Sequence, residues 1–138
     1  MAEFSLPLRV YIEDTDAGGI VYYVNYLKYL ERARTEWLRA LGFGPGRLFN
    51  DALMFVVRRV ELDYRQPARF DDLLRVSAAP LRLRGASMTL RQGVYRGGEL
   101  LVGGSVGIAC VVPGSLRPRR IPADMLATLR GAVDPGGD

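Results

Sequence analysis

Between Tyr22 and Leu41 apolar residues recur at steps of three and four. Tyr26, Leu30, Ala33, Trp37 and Leu41 form one stripe, widened by Leu27 and Leu38, and Lys28, Glu31, Arg32, Thr35 and Arg39 fall opposite. This spacing predicts an amphipathic helix about 30 Å long, enough to cross a small domain. An i,i+4 pair between Arg32 and Glu36 is expected to support it weakly, and Gly42 stops it. Elsewhere the period falls to two. Phe4–Ile12 reads as a first strand. Met54, Val56, Arg58, Val60, Leu62 and Tyr64 make one face of a second, with Arg59, Glu61, Asp63 and Arg65 opposite. Leu74–Arg84 gives a third strand, in which Pro80 implies an edge or an irregularity. Met88, Leu90 and Val94 mark a fourth, and Gly97-Gly98 is a two-residue hairpin signal leading into a fifth, Leu100–Val112. In that last strand Gly103, Ser105, Gly107 and Ala109 leave one face nearly bare, so the backbone is expected to be closely approached there. Gly42–Ala52 is a connecting loop, and a short helix is expected over Ala123–Arg130.

One long helix after a first strand, then four antiparallel strands, gives an α+β domain whose curved sheet wraps the helix. The expected domain runs over residues 1–131, with 132–138 a frayed tail. Such a sheet leaves edge strands open, and pairing of two chains edge to edge covers them.

With 138 residues, 49% of them hydrophobic and 25% charged, the chain can build one core without disulfides or a structural metal. Its start has no basic segment followed by an apolar run, and no stretch is long and apolar enough for a membrane span. Cys110 is alone, within Ile-Ala-Cys-Val-Val, and reads as a buried structural thiol. These features predict a cytoplasmic protein. The net charge is +4 and rests almost wholly on arginine, Lys28 being the sole lysine. Arginine favours phosphate ligands through its planar fork; coding bias produces the same composition. The arginines are scattered singly, which argues against nucleic acid. Histidine is absent, which excludes histidine triads and a histidine base and leaves carboxylates, hydroxyls and backbone groups to do chemistry.

The candidate chemistry lies just before the helix. Asp14 and Asp16 precede a Gly18-Gly19 pair, so a carboxylate sits beside the amino end of a long helix, whose unpartnered N–H groups and dipole favour negative charge on oxygen. If the backbone stays extended, Asp14 and Asp16 point the same way, and spacing does not say which braces the loop and which reacts. A carboxylate so placed can attack a carbonyl, or activate water, while the amides hold the oxyanion.

The same residues carry a resemblance. Asp14-Thr15-Asp16, Gly19-Ile20-Val21-Tyr22, Asn25-Tyr26 and Glu31-Arg32-Ala33-Arg34 resemble the start of hotdog-fold acyl-CoA thioesterases of the 4-hydroxybenzoyl-CoA and Tol-Pal-associated groups. Gln66-Pro67-Ala68, Asp71-Asp72 and Arg120-Ile121-Pro122 are similar to later parts of the family. The resemblance implies a hotdog fold, in dimers or dimers of dimers with sites at the dimer interface, and hydrolysis of a short-chain or aromatic acyl-CoA without metal or cofactor. It implies Asp16 as the catalytic carboxylate. The thioester oxygen would be held at the helix start around Tyr23, with Gly19 and Val21 shaping the approach. Where many Tol-Pal-associated relatives carry a histidine this chain has Tyr23, as in the 4-hydroxybenzoyl-CoA branch, so no histidine donor is expected. Candidates for the coenzyme A phosphates are Arg82, Arg84, Arg119 and Arg120. A non-catalytic module binding acyl-CoA or acyl-carrier protein, and a pure scaffold, are the alternatives.

Overall fold

The computed structural model describes residues 3–133. The long helix forms as α1, Asn25–Ala40. It begins three residues after Tyr22, where the apolar periodicity starts, because residues 22–24 make the turns that lead in. The Asn25 N–H bonds the Tyr22 carbonyl at 2.8 Å, and the Leu27 N–H bonds the Val24 carbonyl at 3.1 Å. The buried face is Tyr26, Tyr29, Leu30, Ala33, Trp37 and Leu38. Leu27 leaves that face and is 39% exposed. Gly42, at φ +103°, turns the chain out of the helix, and the Phe43 N–H closes back on the Leu38 carbonyl at 2.9 Å. The expected Arg32–Glu36 pair does not form, since Glu36 bonds Arg39 at 2.9 Å instead.

The strands are β1 (Phe4–Arg9), β2 (Met54–Tyr64), β3 (Leu73–Leu83), β4 (Ser87–Arg96) and β5 (Glu99–Val111). They form one antiparallel sheet in the order β1-β3-β4-β5-β2. β1 stops at Arg9, short of the expected Ile12, because Ile12–Asp14 coils into a 3₁₀ turn. Pro80 lies in an inner strand, yet it costs no ladder bond to β1, whose pairing ends at Ala78. On the β4 side the register shifts between Pro80 and Arg82, the irregularity that proline implies. The loop after α1 holds a one-turn helix, α2 (Pro45–Leu48), and the chain closes with α3 (Ala123–Ala132). Of the expected tail 132–138, Ala132 ends α3, and residues 134–138 lie outside the described residues. No helix among the described residues is long and apolar enough to cross a membrane.

β2 corrects one sequence expectation. A register shift between Val57 and Arg59 sets Arg58 out of the ladder, so the strand changes phase midway. Phe55 and Val57 stand opposite Cys110 and Ile108 on the helix side, with Val60, Leu62 and Tyr64 after the bulge. Met54 and Val56 were expected there. Residues 54–57 are all apolar, so alternation carried no phase information across them. The bare face of β5 is real, and part of it is filled from within. A side chain at Gly93 would meet the Tyr95 ring at 3.0 Å, and one at Gly103 would meet Leu100 at 3.2 Å. Gly104 points the other way, where a Cβ would strike the Glu61 carbonyl of β2.

α1 packs chiefly over β3, β1 and β4. Leu30, Ala33 and Trp37 meet Leu74, Val76, Leu90 and Val94 in one core, where a fully buried leucine or valine is worth roughly 1.5–3 kcal/mol. The helix therefore leans away from β2. A buried Gln92 pins this arrangement: its amide donates to the Leu30 carbonyl of α1 at 3.1 Å and to the Ser77 carbonyl of β3 at 3.2 Å. Its oxygen accepts from Arg34 at 3.2 Å.

Candidate active site

The two aspartates that spacing could not separate have different jobs. Asp14 turns back into the loop, where its carboxylate accepts the Tyr11 N–H at 2.9 Å. Its carbonyl receives two donors, the Tyr22 N–H at 3.0 Å and the Asn25 side-chain amide at 2.8 Å. Asp16 is exposed, and among the described residues its Oδ1 accepts only the Gly18 N–H, at 2.8 Å. The 3₁₀ turn removes the extended backbone that would have aimed the pair alike. Asp14 braces the loop, and Asp16 is the exposed carboxylate.

The Asp16 loop is a closed lobe. The Asp16 N–H bonds the Ile20 carbonyl at 2.9 Å, and the Gly19 N–H bonds the Asp16 carbonyl at 3.0 Å. Gly19 adopts φ +80°, a conformation that favours glycine, and its carbonyl takes the Phe70 N–H at 3.2 Å. Val21 is buried, with its N–H on the Ala68 carbonyl at 2.9 Å. Both residues thus shape the lobe and have no amide free for an oxyanion. The free donors come next. Among the described residues, no hydrogen bond uses the N–H of Tyr23 or of Val24, the last two residues before α1. These amides stand at the positive end of the 16-residue helix.

Tyrosines extend from this point along the flank of the helix. The Tyr23 and Tyr64 rings lie 6.1 Å apart, and Tyr64 and Tyr26 5.8 Å apart. Tyr26 is buried, which raises its pKa, and its hydroxyl accepts the Ala68 N–H at 2.9 Å, fixing the segment that holds Val21. Beyond them, the lean of α1 opens two adjoining grooves against β2, of about 280 and 210 Å³. Leu27, Val57 and Val60 line one, Leu38 and Phe55 the other, and Glu31 and Arg34 border both. Burial lowers the Arg34 pKa, and no carboxylate lies within ion-pair distance of Arg34 among the described residues.

The four candidate arginines gather elsewhere. The Ile121 N–H bonds the Gly85 carbonyl at 2.9 Å, which carries the C-terminal segment across the β3–β4 turn. A Cβ at Gly85 would touch the Arg120 guanidinium at 2.9 Å. Arg119 and Arg120 line a concavity of about 510 Å³ with the start of α3 and with Arg130. Arg84 is exposed on the same turn, and Arg82 is exposed one residue before the end of β3. Sequence reading missed Arg130, although it falls on the face of α3 that Ala123, Leu126 and Ala127 define. This cluster is not beside Asp16. The Asp16 loop is tied to residues 68–72 before β3, and the arginines sit past the other end of β3, about 33 Å away along an 11-residue strand. Cys110 is buried, which raises its thiol pKa and removes it as a nucleophile.

A long helix lying on an antiparallel sheet of order β1-β3-β4-β5-β2 is the hotdog arrangement. The thioesterase superfamily model matches residues 18–102, and the chain belongs to that superfamily. The acyl-CoA thioesterase YbgC of Haemophilus influenzae is 42% identical over 90% of this chain and 92% of its own. The acyl-CoA thioester hydrolase YbgC of Escherichia coli is 38% identical over 92% and 96%. A solved Bartonella henselae structure superposes with TM-score 0.82 at 38% identity, covering 88% of this chain and all of its own.

Proposed function

We propose that the chain hydrolyses acyl-CoA thioesters, with Asp16 as the reacting carboxylate and the Tyr23 and Val24 N–H groups as the oxyanion site. The observation that carries this is that an exposed Asp16 carboxylate and two unused amides lie on the same lobe that leads into α1. In this reading the thioester oxygen sits on those amides and the Asp16 carboxylate meets the carbonyl carbon. It either attacks that carbon, releasing the thiolate and leaving a mixed anhydride for water to open, or takes a proton from the water that attacks. A thiolate leaves without a dedicated acid, which suits a site with no histidine. Loss of one oxyanion donor costs about 2.7–4 kcal/mol in other enzymes.

The second part of the proposal is that two copies make the site. Asp16 lies outside the arginine-lined concavity and outside both grooves beside α1, and the arginines stand at the far end. β2 is an edge strand with Val57, Val60 and Tyr64 at 49%, 41% and 47% exposure. Antiparallel pairing of two β2 strands about a two-fold axis covers this edge and both grooves. It also sets the Asp16 end of one copy beside the arginine end of the other, so phosphates held by Arg84, Arg119 and Arg120 and a thioester held at Tyr23 belong to one ligand. Acyl preference would then be set in the grooves beside α1.

The test is thiol release across short-chain, long-chain and aromatic acyl-CoAs, comparing wild type with Asp16→Asn. The expected result is at least a 100-fold loss of turnover with an unchanged melting temperature. Wild-type single-turnover rates in Asp16→Asn end the assignment, and saturable binding without thiol release from the wild type supports a binding module instead.

A further inference from the structure

Asn25 is the first residue of α1, one past the cap position where asparagine usually serves as an acceptor for helix N–H groups. Among the described residues no helix N–H bonds its side chain. Its side chain works in the opposite sense: Nδ2 donates backward, at 2.8 Å, to the carbonyl of Asp14. That carbonyl already takes the Tyr22 N–H at 3.0 Å, from the far side of the lobe. One oxygen therefore joins three things, the strand entering Asp16, the strand leaving it and the helix whose preceding amides are free. The Asn25 backbone N–H is on Tyr22 at 2.8 Å, so both ends of this residue clasp the lobe.

Building on the assignment of Asp16, we infer that Asn25 is a positioning residue: its carboxamide donor fixes the Asp16 carboxylate relative to the Tyr23 and Val24 amides. Backbone–backbone hydrogen bonds close the lobe, but none of them holds the Asp16 carboxylate itself. Asp16's own side chain has one local partner, Gly18, and Ala17 to Gly19 are a turn. The Asp14 carbonyl is two residues from Asp16, and Asn25 is two residues from Tyr23, so this bond is the side-chain strut that reinforces the Tyr22 N–H on the same carbonyl. Misplacement of a reacting group by about 1 Å costs on the order of 100-fold in rate, which sets the scale of the effect. The requirement is for a donor and not for shape. Aspartate at 25 is isosteric, but its carboxylate would set acceptor against acceptor. When protonated, it donates again.

The experiment measures kcat and KM by thiol release from pH 4 to 8 for wild type, Asn25→Ala, Asn25→Asp, Asp16→Asn and the double variant Asp16→Asn/Asn25→Asp, with melting temperatures. At pH 7, Asn25→Asp and Asn25→Ala are expected to lose 10- to 100-fold in kcat with KM within about threefold. The ratio of Asn25→Asp to wild type should climb as pH falls through the carboxylate range, and that of Asn25→Ala should stay flat. On the Asp16→Asn background, Asn25→Asp should cost nothing further, because it acts through the missing group. Full kcat in Asn25→Asp beside an inactive Asp16→Asn overturns the positioning role alone, as does a loss that is flat with pH and follows melting temperature. Full turnover in Asp16→Asn overturns the reading of Asp16 and this inference together.

Discussion

The two ends of the sheet hold their charged groups in different ways. At the Asp16 end, backbone hydrogen bonds close on one another: Asp16 to Ile20, Gly19 to Asp16, Val21 to Ala68, Tyr22 to Asp14. At the other end Arg82, Arg84 and Arg120 are exposed side chains on a turn and a tail segment, and Arg119 is half-buried. The difference follows from the chemistry proposed for each. A bond-making carboxylate must be held to within a fraction of an ångström of its productive position, about 3–3.5 Å from its target atom. Phosphate charge is felt over the Debye length of about 8 Å in physiological salt, so flexible arginines suffice. Substitutions at the first end should therefore change kcat, and those at the second should change KM and its salt dependence.

The largest effect should come from separating the two ends altogether. Val60→Asp places a carboxylate on the free edge of β2, where pairing with a second copy would desolvate it. The expected outcome is a monomer by analytical ultracentrifugation, with activity lost and the fold kept by circular dichroism. An active monomer would show that one chain's own surfaces complete the site.

Mixing variants sharpens the same comparison. Asp16→Asn lacks the carboxylate, and Arg84→Ala/Arg120→Ala lacks much of the phosphate end. If the site takes Asp16 from one copy and arginines from the other, a mixed dimer has one intact site and one doubly damaged. Equal mixing after dissociation should recover roughly a quarter of wild-type sites with a normal KM, by the symmetry of a two-fold dimer. If both groups serve from the same chain, no normal-KM activity returns.

Much of this comparison was legible before any coordinates. The period of the helix, the hairpin at Gly97-Gly98 and the bare face of β5 all follow from local rules, and each is found where expected. The aspartate pair and the glycines after it marked the loop that is proposed to react. What failed was information that local patterns do not carry. The phase of β2 was hidden because Met54 to Val57 are uniformly apolar, and the bulge at Arg58 decides it through contacts with β5. The roles of Asp14 and Asp16 depend on a 3₁₀ turn closed by Tyr11, which a reading of Phe4–Ile12 as strand could not contain. The distance of the arginines from Asp16 is a matter of topology, since residues 82–84 and 119–120 meet only after the sheet forms.

A smaller effect tests what holds the loop before β3 against the sheet. Asp72 accepts the Arg69 N–H at 2.8 Å and the Arg96 guanidinium at 2.8 Å. Partial burial works to raise its carboxyl, but Arg69 and Arg96 outweigh that, and its pKa lies below the ordinary value. A carboxyl lowered on folding stabilises fully above its unfolded pKa of about 3.9, and this contribution is lost as pH falls through the folded value. Asp72→Asn should therefore cost about 1–2 kcal/mol at neutral pH, allowing for partial exposure. The difference from wild type in chemical denaturation should shrink toward pH 3 and below. A pH-independent difference would assign the loss to packing.

The smallest expected effect lies deepest in the Asp16 end. Tyr29 is 1% exposed, and its hydroxyl has no hydrogen-bond partner among the described residues. Burial, and then the neighbouring Asp14 carboxylate, push its pKa well above the ordinary phenol value. An unsatisfied buried hydroxyl costs about 1–3 kcal/mol, whereas a formed bond to a carboxylate would contribute about 1.5–3 kcal/mol, so removing the oxygen tells the two apart by sign. Tyr29→Phe should raise stability in urea denaturation, by up to about 1 kcal/mol once the small space left behind is counted. Loss of stability, together with a lower kcat, would mean that the phenol reaches Asp14 in solution. It would then join Asn25 in holding the lobe, and the bracing of Asp16 would extend one helical turn further into the core than the backbone bonds alone carry it.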